Sequence, residues 1–260
     1  DRLPSGNTSG LVFTGISTHA RLLPYLEQKN VYDLVDFNVG YSDPANDAAE
    51  AVTLPGFRCP SDQDKLPANL GGRNNYYVNA GTNLTFAGVR PTDPADPNYN
   101  KPVANGLFYR DSYLRMAHAT DGTSNTVAFG ERRTGDGSNG VSSETDTFQP
   151  GTYPATPDQA LADCRAVDVT DLSKQGVSNV GAPWLWAYHS TTIYWHVAPP
   201  NERSCMYPPG RIMTTAGSEH TGGVQVTLLD GSVRFVSDTV DLSVWRAVGT
   251  RNGGETVTEF

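Results

Sequence analysis

Between residues 223 and 236 the chain alternates: Val224, Val226 and Leu228 take every second position before Asp230-Gly231, and Val233 and Phe235 do so after it. Period-two alternation on both sides of an Asp-Gly pair predicts an antiparallel hairpin closed by a two-residue type I′ turn, with all five apolar side chains contributing to the core. Downstream, Asp241 is a good N-cap, and Leu242, Val244, Trp245 and Val248 lead to Gly249, a natural C′ residue; this predicts a short terminal helix. Residues 126–131 read as a buried strand launched from the Asp121-Gly122 turn. Near the start, Leu22, Leu23, Leu26 and Leu34 recur at helical spacing within residues 18–35, with Pro24 acceptable only in the first turns and Asn30 loosening the middle. Residues 38–51 read as a loop or short helix, and 92–98 and 135–149 as irregular loops, because Pro, Asp, Asn and Gly resist both helix and ladder. There is no internal repeat.

Composition narrows the functional classes. Asp and Glu number 28 against 19 Lys and Arg, a net charge of -9. No basic stripe is present to neutralise phosphates, which argues against nucleic acid and anionic membrane surfaces as partners. The 26 Gly and 18 Pro, spread through the chain, imply many turns, with strand and loop outweighing helix. A chain of 260 residues buries roughly three quarters of its unfolded surface, so one large domain is feasible. No apolar run reaches the about 18 residues of a membrane span.

Recognisable chemistry is scarce. His19, His118, His189, His196 and His220 include no H-x-x-x-H or H-x-H pair, and no C-x-x-C occurs, so local spacing predicts no zinc site. Nucleotide-binding glycine loops and the G-x-S-x-G elbow are absent, and no catalytic residue is assigned. His220, ahead of a hairpin, reads either as a base or, more simply, as a histidine hydrogen-bonded to a neighbouring loop. Asp121, Thr123 and Asn125 place oxygen atoms on one tight turn, a candidate calcium site, although Asp and Asn are also ordinary turn residues that bond their own backbone. Trp184, Trp186 and Tyr188 would share one face of a strand. With Trp195 the tryptophans are either core or an exposed row on which sugar rings could stack.

Beyond the His220-x9-Asp230-Gly231 spacing, several blocks occur in order: Arg2-Leu3-Pro4-Ser5-Gly6, His19-Ala20-Arg21-Leu22-Leu23-Pro24, Phe57-Arg58-Cys59-Pro60-Ser61-Asp62, Asn74-Asn75-Tyr76, Thr120-Asp121-Gly122-Thr123-Ser124-Asn125-Thr126 with Gly130-Glu131, and Pro199-Pro200-Asn201 with Cys205. Together they resemble the prepilin-type H-x9-DG family, domain of unknown function 1559, over nearly the whole chain. The resemblance implies an α+β head: an N-terminal helix packed on an antiparallel sheet, with long loops and a β-rich C-terminal part. It further implies one soluble domain over residues 1–260 with a loop-rich insert around 135–210, following an apolar anchoring helix that these residues do not contain. It also supports a Cys164–Cys205 disulfide around the aromatic block, leaving Cys59 either partnered in the preceding segment or a small buried thiol.

The expected function is therefore a non-enzymatic, extracellular or cell-surface subunit of a pilus- or pseudopilus-type assembly. Its self-association would run through the anchoring helix, and no firm cofactor is implied beyond candidate calcium. The competing expectation is a carbohydrate- or solute-binding surface module using residues 184–196, with polysaccharide as partner. A secreted hydrolase would need a cleft joining His220 or His189 to a carboxylate and a nucleophile.

Overall fold

The computed structural model describes residues 3, 15–85, 93–110, 112–255, 257 and 260; apart from Leu3, the Arg2–Gly6 block lies outside them, as does Thr92. Among the described residues nine strands are formed: β1 (Tyr76–Asn79), β2 (Val127–Glu131), β3 (Thr147–Phe148), β4 (Gln175–Val177), β5 (Ile193–Tyr194), β6 (Ser204–Tyr207), β7 (Arg211–Met213), β8 (Gly223–Leu228) and β9 (Val233–Ser237). They make a five-stranded sheet in the order β5-β1-β2-β8-β9 and a four-stranded sheet in the order β4-β3-β6-β7. Each sheet is mixed, with one parallel pair, β1 with β5 and β3 with β6. The fold is α+β with little helix, and among the described residues no helix is long and apolar enough to cross a membrane.

The two sheets share one core. Val78, Ala128 and Ile193 from the larger sheet pack in the same cluster as Phe148, Cys205, Tyr207 and Met213 from the smaller. The Cys164–Cys205 disulfide joins that cluster to α4 (Pro157–Arg165), whose N-cap Thr156 accepts a hydrogen bond from Gln159 N–H. Residues 135–149, expected to be loop throughout, end in a buried central strand, because Thr147 and Phe148 pair with both β4 and β6.

Helix is more fragmented than its apolar spacing suggests. Residues 18–35 form α1 (Thr18–Leu22), a 3₁₀ turn (Leu23–Leu26) and α2 (Lys29–Tyr32). The break comes at Glu27, which adopts φ 58°, and not at Asn30. Pro24 cannot donate an amide hydrogen bond, so the α-ladder ends within a turn of it. Leu26 and Leu34 consequently face solvent, while Ala20, Leu23, Val31 and Val35 are buried. A further helix, α3 (Asp47–Glu50), follows the 3₁₀ turn Pro44–Asn46. At the C-terminal end, α5 (Leu242–Gly249) begins as its pattern predicts, with Asp241 Oδ1 accepting from Ser243 and Val244 N–H. Gly249 is the last helical residue, not a left-handed cap. Its missing side chain leaves room for the His196 ring, which a Cβ would approach to 2.4 Å.

The hairpin forms where expected, with Val224 opposite Val236 and Thr227 opposite Val233. Its turn differs. Leu228 C=O accepts from Gly231 N–H, and Leu228 N–H donates to Ser232. In this turn only Gly231 has positive φ, 89°. This is a three-residue connection with a left-handed glycine rather than a type I′ pair. The extra residue shifts the inward positions of β9. Val236 is buried, while Val233 and Phe235, expected in the core, are 62% and 47% exposed on the opposite face. The turn is seated by Leu229 N–H on Thr126 C=O and Asp230 N–H on Thr123 C=O, so the Asp-Gly hairpin is fastened to the Asp121–Asn125 turn.

Three outcomes follow. A Cβ at Gly231 meets nothing within 4 Å, so Gly231→Ala should cost only the left-handed strain, about 1–2 kcal/mol, read from denaturant midpoints. Titration of thiols in denaturant without reductant should find one per chain, Cys59. Reducing the Cys164–Cys205 bridge, which spans 41 residues, should lower stability by about 4 kcal/mol on the chain-entropy relation.

Candidate functional site

The blocks that stand far apart in sequence meet at one end of the larger sheet. Cys59 leaves the 3₁₀ turn Pro55–Phe57, and its N–H donates to Asn75 Oδ1 at 2.9 Å. Asn75 Nδ2 donates to Asp62 Oδ2 and to Arg132 C=O, both at 2.9 Å. Asp62 also accepts from the Thr134 hydroxyl at 2.7 Å. Glu131 ends β2, where its C=O accepts from Gly217 N–H. On the facing loop, Asn201 Oδ1 accepts from Ser218 N–H, and Ser218 Oγ accepts from His220 N–H while donating to Gly223 C=O. The Cys-Pro-Ser-Asp, Asn-Asn-Tyr, Gly-Glu, Pro-Pro-Asn and His blocks are thus one hydrogen-bonded joint.

At its centre stand Cys59, Glu131 and His220. His220 Nε2 lies 3.2 Å from Glu131 Oε1 and 3.7 Å from Cys59 Sγ, and the three ligand atoms lie within 4.8 Å of one another. Among the described residues no other group of three His, Cys, Asp or Glu side chains converges this way. Glu131 Oε2 accepts from Gln225 N–H at 2.7 Å, which fixes the carboxylate. Cys59 and Glu131 are buried, and the His220 side chain is 34% exposed. Asp62, Asn75, Glu131, Ser218 and Glu219 border a void of about 10 Å³ there, room for one small atom or water. Two arginines are adjacent but engaged: Arg132 donates to the carbonyls of Thr145 and Thr215, and Arg133 pairs with Glu144 and Glu219.

A nucleophile, base and orienter would place Cys59 and the carboxylate on opposite ring nitrogens. Here both approach Nε2, and the void is not a substrate cleft. His220 is therefore hydrogen-bonded to a distant block rather than to a neighbouring loop, beside a cysteine that local spacing could not reveal.

The remaining candidates are placed differently. Asp121 receives Gly253, Gly254 and Thr250 donors on its carboxylate. Asn125 Nδ2 donates to Asp121 C=O, and the Thr123 carbonyl takes Asp230 N–H, so these atoms serve the turn and the C-terminal segment. The exposed aromatic row is corrected: Trp184 and Trp195 are fully buried, and Trp184 Nε1 donates to Val52 C=O. Trp186, half-buried, donates to Glu50. Two cores needed rings at residues 184–195, and the segment is turn rather than strand around Trp184 and Trp186. Phe129, Thr227, Val233, Leu22, Leu26 and Phe57 line an apolar groove of about 510 Å³ that ends at Glu131.

An α+β fold with a buried polar joint built from its own sequence blocks is what the structure and site define. The family model for a protein of unknown function (DUF1559) matches residues 1–243, and the chain belongs to that family. Neither a curated protein nor a solved structure matches it.

Burial holds His19 at a pKa of about 4 and His189 and His196 at about 3, each below the ordinary histidine value of 6.5; a backbone bond to Tyr76 and to Trp245 partly offsets this for His19 and His196. These rings are neutral when folded, so the unfolded chain binds more protons below about pH 6.5. Stability they support is present above that pH and lost as pH falls toward 4 and 3. Asp146, raised to about 6 by burial, works in the opposite sense, its cost at neutral pH being relieved on protonation. Burial raises Glu50 in the same sense as Asp146, and three histidines outweigh these two carboxyls, so denaturant midpoints should fall from pH 7 to pH 4, and His196→Gln should shrink that fall.

Proposed function

We propose that this head is a non-enzymatic, extracytoplasmic subunit of a pilin- or pseudopilin-like surface assembly. The observation that carries this reading is the open apolar groove on the larger sheet. Leu26 and Val233 in its wall are exposed, as is Phe235 on the same face of β9, opposite Gln225. Exposed apolar surface of this kind, gathered on one face, is costly in a lone soluble head and is useful where another apolar segment covers it. The Cys164–Cys205 disulfide supports an oxidising compartment. The acidic net charge of -9 suits display in water and disfavours nucleic acid. A sugar-stacking role loses its main support with the burial of Trp184 and Trp195.

The test is made in the native host with the natural flanking sequence of the gene. External protease on intact cells should remove the head, and replacing Val233 and Phe235 together by Ser should disperse surface assemblies seen by electron microscopy while leaving the melting temperature of the isolated head within a few degrees. A head retained inside the cell, assemblies unaffected by that double change, or hydrolysis abolished by His220→Ala would overturn the reading.

A further inference from the structure

We propose that Cys59, Glu131 and His220 form a binding site for a single zinc ion, with one coordination position left open toward solvent on the His220 side. Three independent features of the site point this way, and none depends on the assembly reading above.

The first is distance. Zinc bonds of about 2.3 Å to sulfur and about 2.0–2.1 Å to nitrogen and oxygen, at tetrahedral angles, set ligand atoms about 3.6 Å apart for sulfur and nitrogen and about 3.3 Å for nitrogen and oxygen. The separations here are 3.7 Å and 3.2 Å. A shared central ion brings sulfur and carboxylate to the same ring nitrogen, as they stand here. The void that Cys59 and Glu131 border, about 10 Å³, suits an atom and not an organic substrate.

The second is charge. Binding converts the Cys59 thiol to thiolate and releases one proton, so thiolate and Glu131 carboxylate together cancel the dication and the buried complex is neutral. Thiolate with imidazole also selects a borderline-soft transition metal over calcium or magnesium.

The third is outer support. Glu131 Oε2 is held by Gln225 N–H, and the backbone of Cys59 and of His220 by Asn75 Oδ1 and Ser218 Oγ. Ligands pre-oriented by such bonds are the mark of a metal centre, where outer partners tune affinity strongly. With three protein ligands the geometry is that of an open site, its fourth position filled by water.

The test uses the purified disulfide-bonded head, stripped with chelator under argon and titrated with zinc chloride, then with cobalt(II) as a spectroscopic probe. One zinc per chain is expected, together with a sulfur-to-cobalt charge-transfer band and intense tetrahedral d–d bands. Cys59→Ser should abolish the charge-transfer band. His220→Gln and Glu131→Gln should each weaken zinc by more than the roughly 10–100-fold loss that follows removal of an outer partner. Because a variant could misfold, alkylation of Cys59 in the wild-type head is measured alongside, and one equivalent of zinc should slow it at least tenfold. No stoichiometric zinc binding, cobalt bands that survive Cys59→Ser, binding of copper(I) but not zinc, or alkylation indifferent to zinc would each overturn the proposal.

Discussion

One buried amide holds the functional end of the molecule together. The Asn75 side chain receives Cys59 N–H on its oxygen and gives its two hydrogens to Asp62 and to the Arg132 carbonyl. It thereby fastens the Cys59 loop to the end of β2, where Glu131 stands. A carboxamide suits this role, since it offers acceptor and paired donors in one plane. Removing it would leave several buried polar groups unpaired at about 1–3 kcal/mol each. His220 reaches the same place from the opposite side only because Asn201 and Ser218 fold its loop back.

Much of the scaffold was legible from pattern. Alternation marked β8 and β9, the Asp121-Gly122 turn marked the launch of β2, and Asp241 marked the start of α5, because those signals are local. The turn at Gly231 was not, since Asp-Gly serves both a two-residue and a three-residue connection, and one residue of difference turned Val233 and Phe235 outward. The helix over residues 18–35 failed for a related reason: leucine spacing records what could face a core, while Pro24 decides whether the ladder continues. Trp184 and Trp195 went to the interior, one into each of two cores, where Trp184 packs against Phe57.

The centre itself was hidden by distance along the chain. Cys59 and His220 are 161 residues apart, and motif spacing sees only ligands on one turn or helix. A signal did exist in the blocks taken as a set. Three of them carry the side chains that converge, Cys59, Glu131 and His220, while Asp62 in the Cys59 block and Asn75 and Asn201 from other blocks supply hydrogen bonds. Read one at a time they look like turn residues; read together they describe a joint that needs every member. The groove shares Glu131 with that joint, so an occupant of one meets the edge of the other.

The disulfide bears on how the chain reaches this structure. Three cysteines allow three pairings, and in an oxidising compartment a collapsing chain can sample all of them. The native bridge closes the shortest loop, 41 residues, whereas Cys59 lies much farther along the chain from either partner. Loop-closure entropy disfavours those longer loops by roughly 1 kcal/mol. That bias is enough to make the correct partner the more frequent encounter before any sheet has formed. Once Cys59 is buried against β2, thiolate exchange with the finished bridge is sterically closed, and the order of events protects the outcome.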